Sequence, residues 1–208
     1  MLVKRVFFFG RTGSGKSTSV RFLTEESERT GWTVYSFNDY PILRRKFLND
    51  KEHRQFRPTS HNGFEVLDFS VYEESLRELS DELLQFCPTG DKTLIIVEFS
   101  SNNYRDTLKL FDPWLLQDAH FIFLAADLGT CLNRVWQRTL HPETADEYYV
   151  DDIVLLTHYP NPYMPASIDG NRVTLIHNMG SKEELRERIH TLTVEMVLNE
   201  HEFFPVLV

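Results

Sequence analysis

Basic charge is scarce in this chain of 208 residues. Its 22 Lys and Arg stand against 31 Asp and Glu, giving a net charge of −9 and a pI near 5.4. That balance argues against a general affinity for nucleic acid and leaves room only for a local basic groove. Cysteine is scarcer: Cys87 and Cys131 are the two present. They are too few for a disulfide framework and stand at no metal-ligand spacing. The eight histidines are scattered in the same way. No apolar run approaches the length of a membrane span, and the N-terminal one stops at Gly10, too early for a signal peptide. No N-x-[ST] acceptor, internal repeat or low-complexity tract occurs. A reducing, cytoplasmic setting without membrane contact is expected. What is present, 41% hydrophobic and 25% charged residues, is the composition of a globular domain long enough to bury a core.

Against that background stands Gly10-Arg11-Thr12-Gly13-Ser14-Gly15-Lys16-Ser17, which fits G-x-x-x-x-G-K-[ST]. The apolar run Val6-Phe7-Phe8-Phe9 before it suits a buried strand, and Val20, Phe22 and Leu23 after it begin an apolar helical face. Strand, glycine-rich turn and helix N-terminus together make an anion site, because successive N–H groups and the helix dipole face one point. Lys16 would reach the β- and γ-phosphates of a nucleoside triphosphate, and the Ser17 hydroxyl would hold Mg²⁺. No N-K-x-D motif points to a GTPase, and no L-S-G-G-Q signature points to a transporter ATPase.

Further along, strands and helices alternate. The pattern predicts a helix over about 16–29, a strand at 32–37, a short helix after Pro41, and a turn-rich stretch with Arg54, Arg57, Pro58, His61, Asn62 and Gly63. Leu76, Leu79, Leu83 and Phe86 then recur at spacings of 3, 4 and 3, an amphipathic helix ended by Pro88 and Gly90. Leu94-Ile95-Ile96-Val97 reads as a buried strand, 105–116 as a helix, 121–125 as a strand, and Leu128, Leu132 and Val135 as the next helix. A helix at 152–158, a proline-rich connection (Pro160, Pro162, Pro165), a last strand at 173–176 and a closing helix through Leu185, Ile189, Leu192 and Met196 complete the chain. Apolar strands alternating with helices mean a parallel sheet covered on both faces, with ligands at the strands' carboxyl ends. Polar residues gather there: Asn38, Asp39 and Tyr40; Glu98, Ser100 and Asn102; Asn178, Met179, Gly180 and Ser181.

These segments, in this order, resemble the P-loop kinases of the nucleoside and nucleotide kinase superfamily over nearly the whole chain. Asn38-Asp39-Tyr40-Pro41 is similar to the acidic-aromatic motif by which uridine-kinase-like enzymes meet an acceptor hydroxyl, and Leu94–Glu98 to the acidic strand end. Phe123-Leu124-Ala125 through Arg134 and Arg138 is similar to the strand and helix leading into a kinase lid, and Ile176–Ser181 to the adenine-side loop. The resemblance implies a three-layer α/β sandwich: a single domain, 1–208, with a five-stranded parallel sheet in the order 2-3-1-4-5. It also implies an acceptor-binding insert near 40–92 and a lid near 138–152.

The roles follow. ATP would be held by Gly10, Arg11, Thr12, Gly13, Ser14, Gly15, Lys16, Ser17, Thr18 and Asn178, and Mg²⁺ by Ser17 and Glu98. Thr18 serves the α-phosphate or is a plain helix residue. Asp39 accepts the acceptor's proton or caps the helix at Pro41; Glu98 holds the metal through water, is itself the base, or pairs with an arginine. Arg134 and Arg138, four apart, share a helical face and would neutralise the transferring phosphoryl group from the lid, or form a solvated basic face. Tyr40, Arg54 and Arg57 would meet the acceptor, with Arg54 and Arg57 gripping its phosphate if it has one and otherwise lying on the surface with Arg44 and Arg45. Phe47, Phe56, Phe64 and Tyr72 would stack on a base or fill a local core. Asn178 and Ser181 read as turn and cap before the final helix. The apolar tail Phe203–Val208 would pack on its own domain or serve as a dimer arm. The expected activity is transfer of the γ-phosphoryl group of ATP to a hydroxyl of a small molecule such as a nucleoside. A monophosphate acceptor and a slow regulatory ATPase are the alternatives.

Overall fold

The computed structural model of the chain describes residues 1–59, 63–140, 168 and 173–198. The readings for the helix at 152–158, the prolines at 160, 162 and 165, the lid beyond 140 and the tail from 199 onward lie outside the described residues. The main sheet has five parallel strands: β1 (Leu2–Phe9), β2 (Thr33–Asn38), β5 (Lys92–Glu98), β6 (His120–Ala125) and β7 (Val173–His177). Its order is β2-β5-β1-β6-β7. The label differs from the expected 2-3-1-4-5 because two further strands intervene, β3 (Phe56–Pro58) and β4 (Phe64–Val66), paired antiparallel as a separate hairpin. Counted among the main-sheet strands alone, the order is the expected one.

Alternation along β1 explains the two-faced core. Phe7 and Phe9 project into a cluster with Leu76, Leu79 and Leu83 of α3 (Ser70–Gln85), while Val6 and Phe8 project into one with Val20 and Leu23 of α1 (Lys16–Arg29) and Leu185 and Ile189 of α7 (Lys182–Thr193). Phe7, Phe8 and Phe9 are fully buried, and each such ring stabilises the fold by roughly 1.5–3 kcal/mol relative to exposure. A third, small cluster lies in the insert. Leu43 of α2 (Tyr40–Asn49), Phe56, Phe64, Val66 and Val71 are buried together, with Tyr40, Phe47 and Tyr72 packed against them. Phe47, Phe56, Phe64 and Tyr72 therefore belong to a local core.

The expected helix over 105–116 is broken. It comprises α4 (Tyr104–Thr107), a 3₁₀ turn at Leu108–Leu110, and α5 (Pro113–Leu116), capped by Asp112 on the Trp114 N–H. Pro113 has no N–H to continue the ladder and so begins a new turn. The next helix, α6 (Leu128–Leu140), follows β6, and a π-helical turn at Val194–Leu198 extends α7. Among the described residues no helix is long and apolar enough to cross a membrane.

Candidate active site

The carboxyl ends of β1, β2 and β5 converge on the glycine-rich loop. Gly10, Gly13 and Gly15 all have positive φ (141°, 84° and 103°), and the space beside them is occupied by backbone and side chain. A Cβ on Gly13 would lie 2.5 Å from the Cys131 carbonyl oxygen, and one on Gly15 would lie 2.3 Å from Asn178 Nδ2. Glycine is required there both for its backbone conformation and for close approach. Gly15 is the N-cap of α1 and offers no side-chain oxygen to its first turn, so the orphan N–H groups at that end are available to an anion.

Lys16 folds inward. Its Nζ donates to the carbonyl oxygens of Gly10 (3.0 Å) and Arg11 (3.3 Å) and to Ser100 Oγ (2.8 Å), and the residue is 6% exposed. Burial pulls its pKa down; the fields of Glu98 and then Asp39 oppose that, and Arg138 adds to it. Ser17 Oγ donates to Glu98 Oε1 at 2.7 Å. A hydroxyl beside a carboxylate at the mouth of an anion cradle suits Mg²⁺, which takes few protein oxygens and completes its shell with water and phosphate. Among the described residues, no three or more His, Cys, Asp or Glu gather into a metal cage. Among the described residues Glu98 makes no ion pair with an arginine, and its side-chain partner there is Ser17.

Asp39 stands where β2 ends. It occupies the N-cap position of α2, but its side chain caps nothing. Asn38 does the local work, its Oδ1 accepting from the Tyr40 N–H at 3.1 Å. The half-buried Asp39 carboxyl is pushed up to about 7, by burial first, with Lys16 opposing and Glu98 reinforcing the shift. A carboxyl released from capping and held near neutrality beside a phosphate cradle is equipped to take a proton.

Behind the cradle lie two residues to which the motif gave no role. The fully buried Tyr104 hydroxyl accepts from the N–H groups of Gly10 (2.8 Å) and Ser101 (3.1 Å) and donates to the Gly10 carbonyl (3.0 Å). It ties the start of the loop to the segment after β5. Ser100, noticed only as a polar residue past a strand, receives the Lys16 ammonium. Nothing local marks Tyr104, because its partner Gly10 is 94 residues away.

On the other side, Asn178 Nδ2 donates to the Ser14 carbonyl at 2.7 Å, so Asn178 braces the loop where the adenine-side turn was expected. Ser181 caps α7 by accepting from the Glu184 N–H at 3.2 Å. The structure puts Arg134 to a use different from the one expected. Its guanidinium donates to the carbonyls of Asn178 (3.0 Å) and Gly180 (3.3 Å) and so fixes that turn, where charge neutralisation was anticipated. The field of Arg138 reaches Lys16, and its buried Nε has no partner among the described residues. Arg11 is buried and Thr12 and Thr18 are half-buried along the loop and the start of α1.

The acceptor candidates divide. Tyr40 stacks on Phe64 of the hairpin, with ring centroids 6.1 Å apart. Of the two readings for Arg54 and Arg57, the structure shows them in the surface one: both are exposed and paired with acids of their own insert, Arg54 with Glu52 and Arg57 with Glu65. Neither makes a hydrogen bond or ion pair with a cradle residue among those described. Arg45 likewise pairs with Glu78.

Solved structures with this architecture are numerous and distant in sequence. An unliganded sugar kinase from Janibacter sp. HTCC2649 superposes with a TM-score of 0.56 at 16% identity, covering 94% of this chain and 96% of that one. The fold is that of the P-loop kinases. An APS kinase of Mycobacterium tuberculosis, in complex with AMPPNP and APS, gives 0.55 at 18% identity over 92% of this chain and 97% of that one. A gluconokinase from Sinorhizobium meliloti 1021 gives 0.55 at 15% identity over 95% and 98%. No protein-family model matches the sequence, and no curated protein matches it.

Proposed function

We propose that this chain is an ATP- and Mg²⁺-dependent phosphotransferase that moves the γ-phosphoryl group to a hydroxyl of a small molecule, a nucleoside or similar metabolite. The observation that carries the reading is Asp39: an acid beside Lys16 and Glu98, unused as a helix cap, with its pKa raised to about 7. The loop N–H groups and the α1 terminus hold the triphosphate, and the Lys16 ammonium turns from its carbonyl partners to the phosphates. Mg²⁺, held through Ser17 and Glu98, supplies charge neutralisation on the phosphate oxygens. Asp39 takes the proton of the acceptor hydroxyl as its oxygen attacks the γ-phosphorus. The bond to the β,γ-bridging oxygen breaks and ADP leaves. Arg138 faces the same charge from α6. Support also comes from the neighbours of the same fold: a sugar kinase, a gluconokinase and an APS kinase, the last solved with AMPPNP and APS. A phosphate-bearing acceptor has less support, since Arg54 and Arg57 are engaged by acids of the insert.

Acceptor-dependent ADP release across nucleosides, nucleotides and sugars tests the class of reaction, and ADP release independent of every acceptor would favour a regulatory ATPase. With the best acceptor, Asp39→Asn should lower kcat by about 10²–10⁴ while changing acceptor KM far less. A fall below about threefold would leave Asp39 without a catalytic role. Loss confined to Glu98→Gln would move the base to β5.

A further inference from the structure

At the end of the sheet remote from the phosphate loop lies a cavity of about 270 Å³. Alternate residues of β1 and β5, the end of α3 with the segment after it, and α5 enclose it. Its walls are apolar, with Val3, Phe7, Phe86 and Leu115 among them, and Trp114 and Arg5 also line it. The one charged side chain among the lining residues is Arg5, and its situation is unusual. The side chain makes no hydrogen bond or ion pair with any described residue, and its Nε is fully enclosed without a partner. Its guanidinium carbon sits 4.0 Å from the centre of the Trp114 ring, which is 56% exposed. Asp118 is the acid whose field reaches Arg5, yet no ion pair joins them among the described residues; burial lowers the Arg5 pKa below its ordinary value. A guanidinium remains charged at any working pH. A half-buried cation without a direct ion pair among the described residues carries a desolvation cost that a bound anion would offset.

We propose that this cavity binds a small monocarboxylate with an apolar body, its carboxylate on the free edge of the Arg5 guanidinium and its body against Trp114 and the apolar walls. Stacking on Trp114 occupies one face of the guanidinium and leaves the planar fork to donate to two carboxylate oxygens side by side. One cation among apolar walls matches one negative charge; a phosphate dianion would bury a second charge unpaired. The volume is right for an aryl ring and a short chain, since a cavity of ~150 Å³ already holds benzene. The site is separate from the phosphate cradle and does not depend on the phosphotransfer reading.

Calorimetric titration of the full chain with 3-phenylpropanoate, and with 3-phenylpropanamide as its neutral counterpart, tests this. The acid should bind about tenfold or more tightly than the amide, as a charge-assisted pair requires. Arg5→Met, which keeps the apolar stem, should abolish that preference, and saturating AMPPNP should leave acid binding unchanged. Equal affinity for acid and amide, or no heat from the acid up to roughly millimolar concentration, would overturn the proposal. Displacement of the acid by AMPPNP would do so too, by placing it in the phosphate cradle. Should Arg5→Met fail to fold, the comparison of acid and amide on the unaltered chain decides alone.

Discussion

Asp39 illustrates how one side chain's chemistry is set by what it does not do. A capping carboxylate accepts backbone N–H bonds that hold its pKa down, whereas Asp39 leaves that duty to Asn38 and is instead desolvated beside the Glu98 charge. The sign of the resulting pH dependence is fixed. Its pKa is 3.8 in an ordinary setting and about 7 in the fold, so the folded chain holds this proton more tightly than the unfolded one. Its contribution to stability is complete below the lower value and is lost as pH rises through the upper one. Activity runs the opposite way, because the base must be ionised. On the free enzyme, kcat/KM should therefore rise with pH through a midpoint near 7, the value for Asp39. Urea denaturation of the unaltered chain should show a stability loss between about pH 4 and pH 7 that Asp39→Asn lacks. A rate profile flat across that range, or the same loss in both proteins, would count against the assignment. Lys16 and Asp39 are legible from the motif and the strand end. Tyr104 is not, because its place is set by a hydrogen bond between segments that only the folded sheet brings together.

Among the elements, α6 carries two arginines on one face with separate tasks. Arg134 reaches the carbonyls of Asn178 and Gly180, and Asn178 in turn holds the Ser14 carbonyl. The chain of contacts runs from helix to turn to phosphate loop. Arg138, with an unpartnered Nε and a field felt at Lys16, has no such bracing duty among the described residues. Arg134→Ala should therefore raise the ATP KM more than it lowers kcat, and Arg138→Ala should do the reverse. Steady-state kinetics with ATP varied at saturating acceptor separates them; the same pattern in both variants would refute the division. Sequence spacing showed that the two share a face but not that the face meets a turn on one side and the cradle on the other. For the same reason the hairpin β3–β4 escaped notice. Phe56-Arg57-Pro58 and Phe64-Glu65-Val66 are too short to show a period, and they are held by a cluster whose members come from 43 to 71 along the chain. Pro113 was visible, but its power to split the helix expected over 105–116 depended on the packing around it.

For the molecule as a whole, the five main strands were legible because each is buried on both faces and so nearly uniformly apolar, and their order followed from the family resemblance. What the sheet accomplishes is to bring Gly10, Asn38-Asp39 and Glu98 to one edge, β1 pairing with β5 and β5 with β2 so that Phe8 lies opposite Glu98 and Asn38 opposite Glu98. The glycine-rich loop then rests on a core formed without it, and that separation has a measurable consequence. Lys16 is buried, but at a desolvation cost that lowers its pKa, so its three hydrogen bonds give little net stability to the empty protein. With Mg²⁺ and AMPPNP at about 100 times Kd, mass action should stabilise the fold by about 2.7 kcal/mol. For a domain of this size that corresponds to a rise in Tm of roughly 5–10 °C. Lys16→Ala should leave the Tm of the empty protein within about 2 °C of the unaltered chain, in line with a surface-like cost, while losing most of the nucleotide-induced rise. Differential scanning calorimetry with and without nucleotide reads both quantities on the same samples. A collapse of the empty protein's Tm in Lys16→Ala would mean that the lysine is a structural element of the loop. A full nucleotide shift in the variant would mean that the phosphates are bound without it, and the charge neutralisation assigned to Lys16 would have to come from Arg138 or the metal.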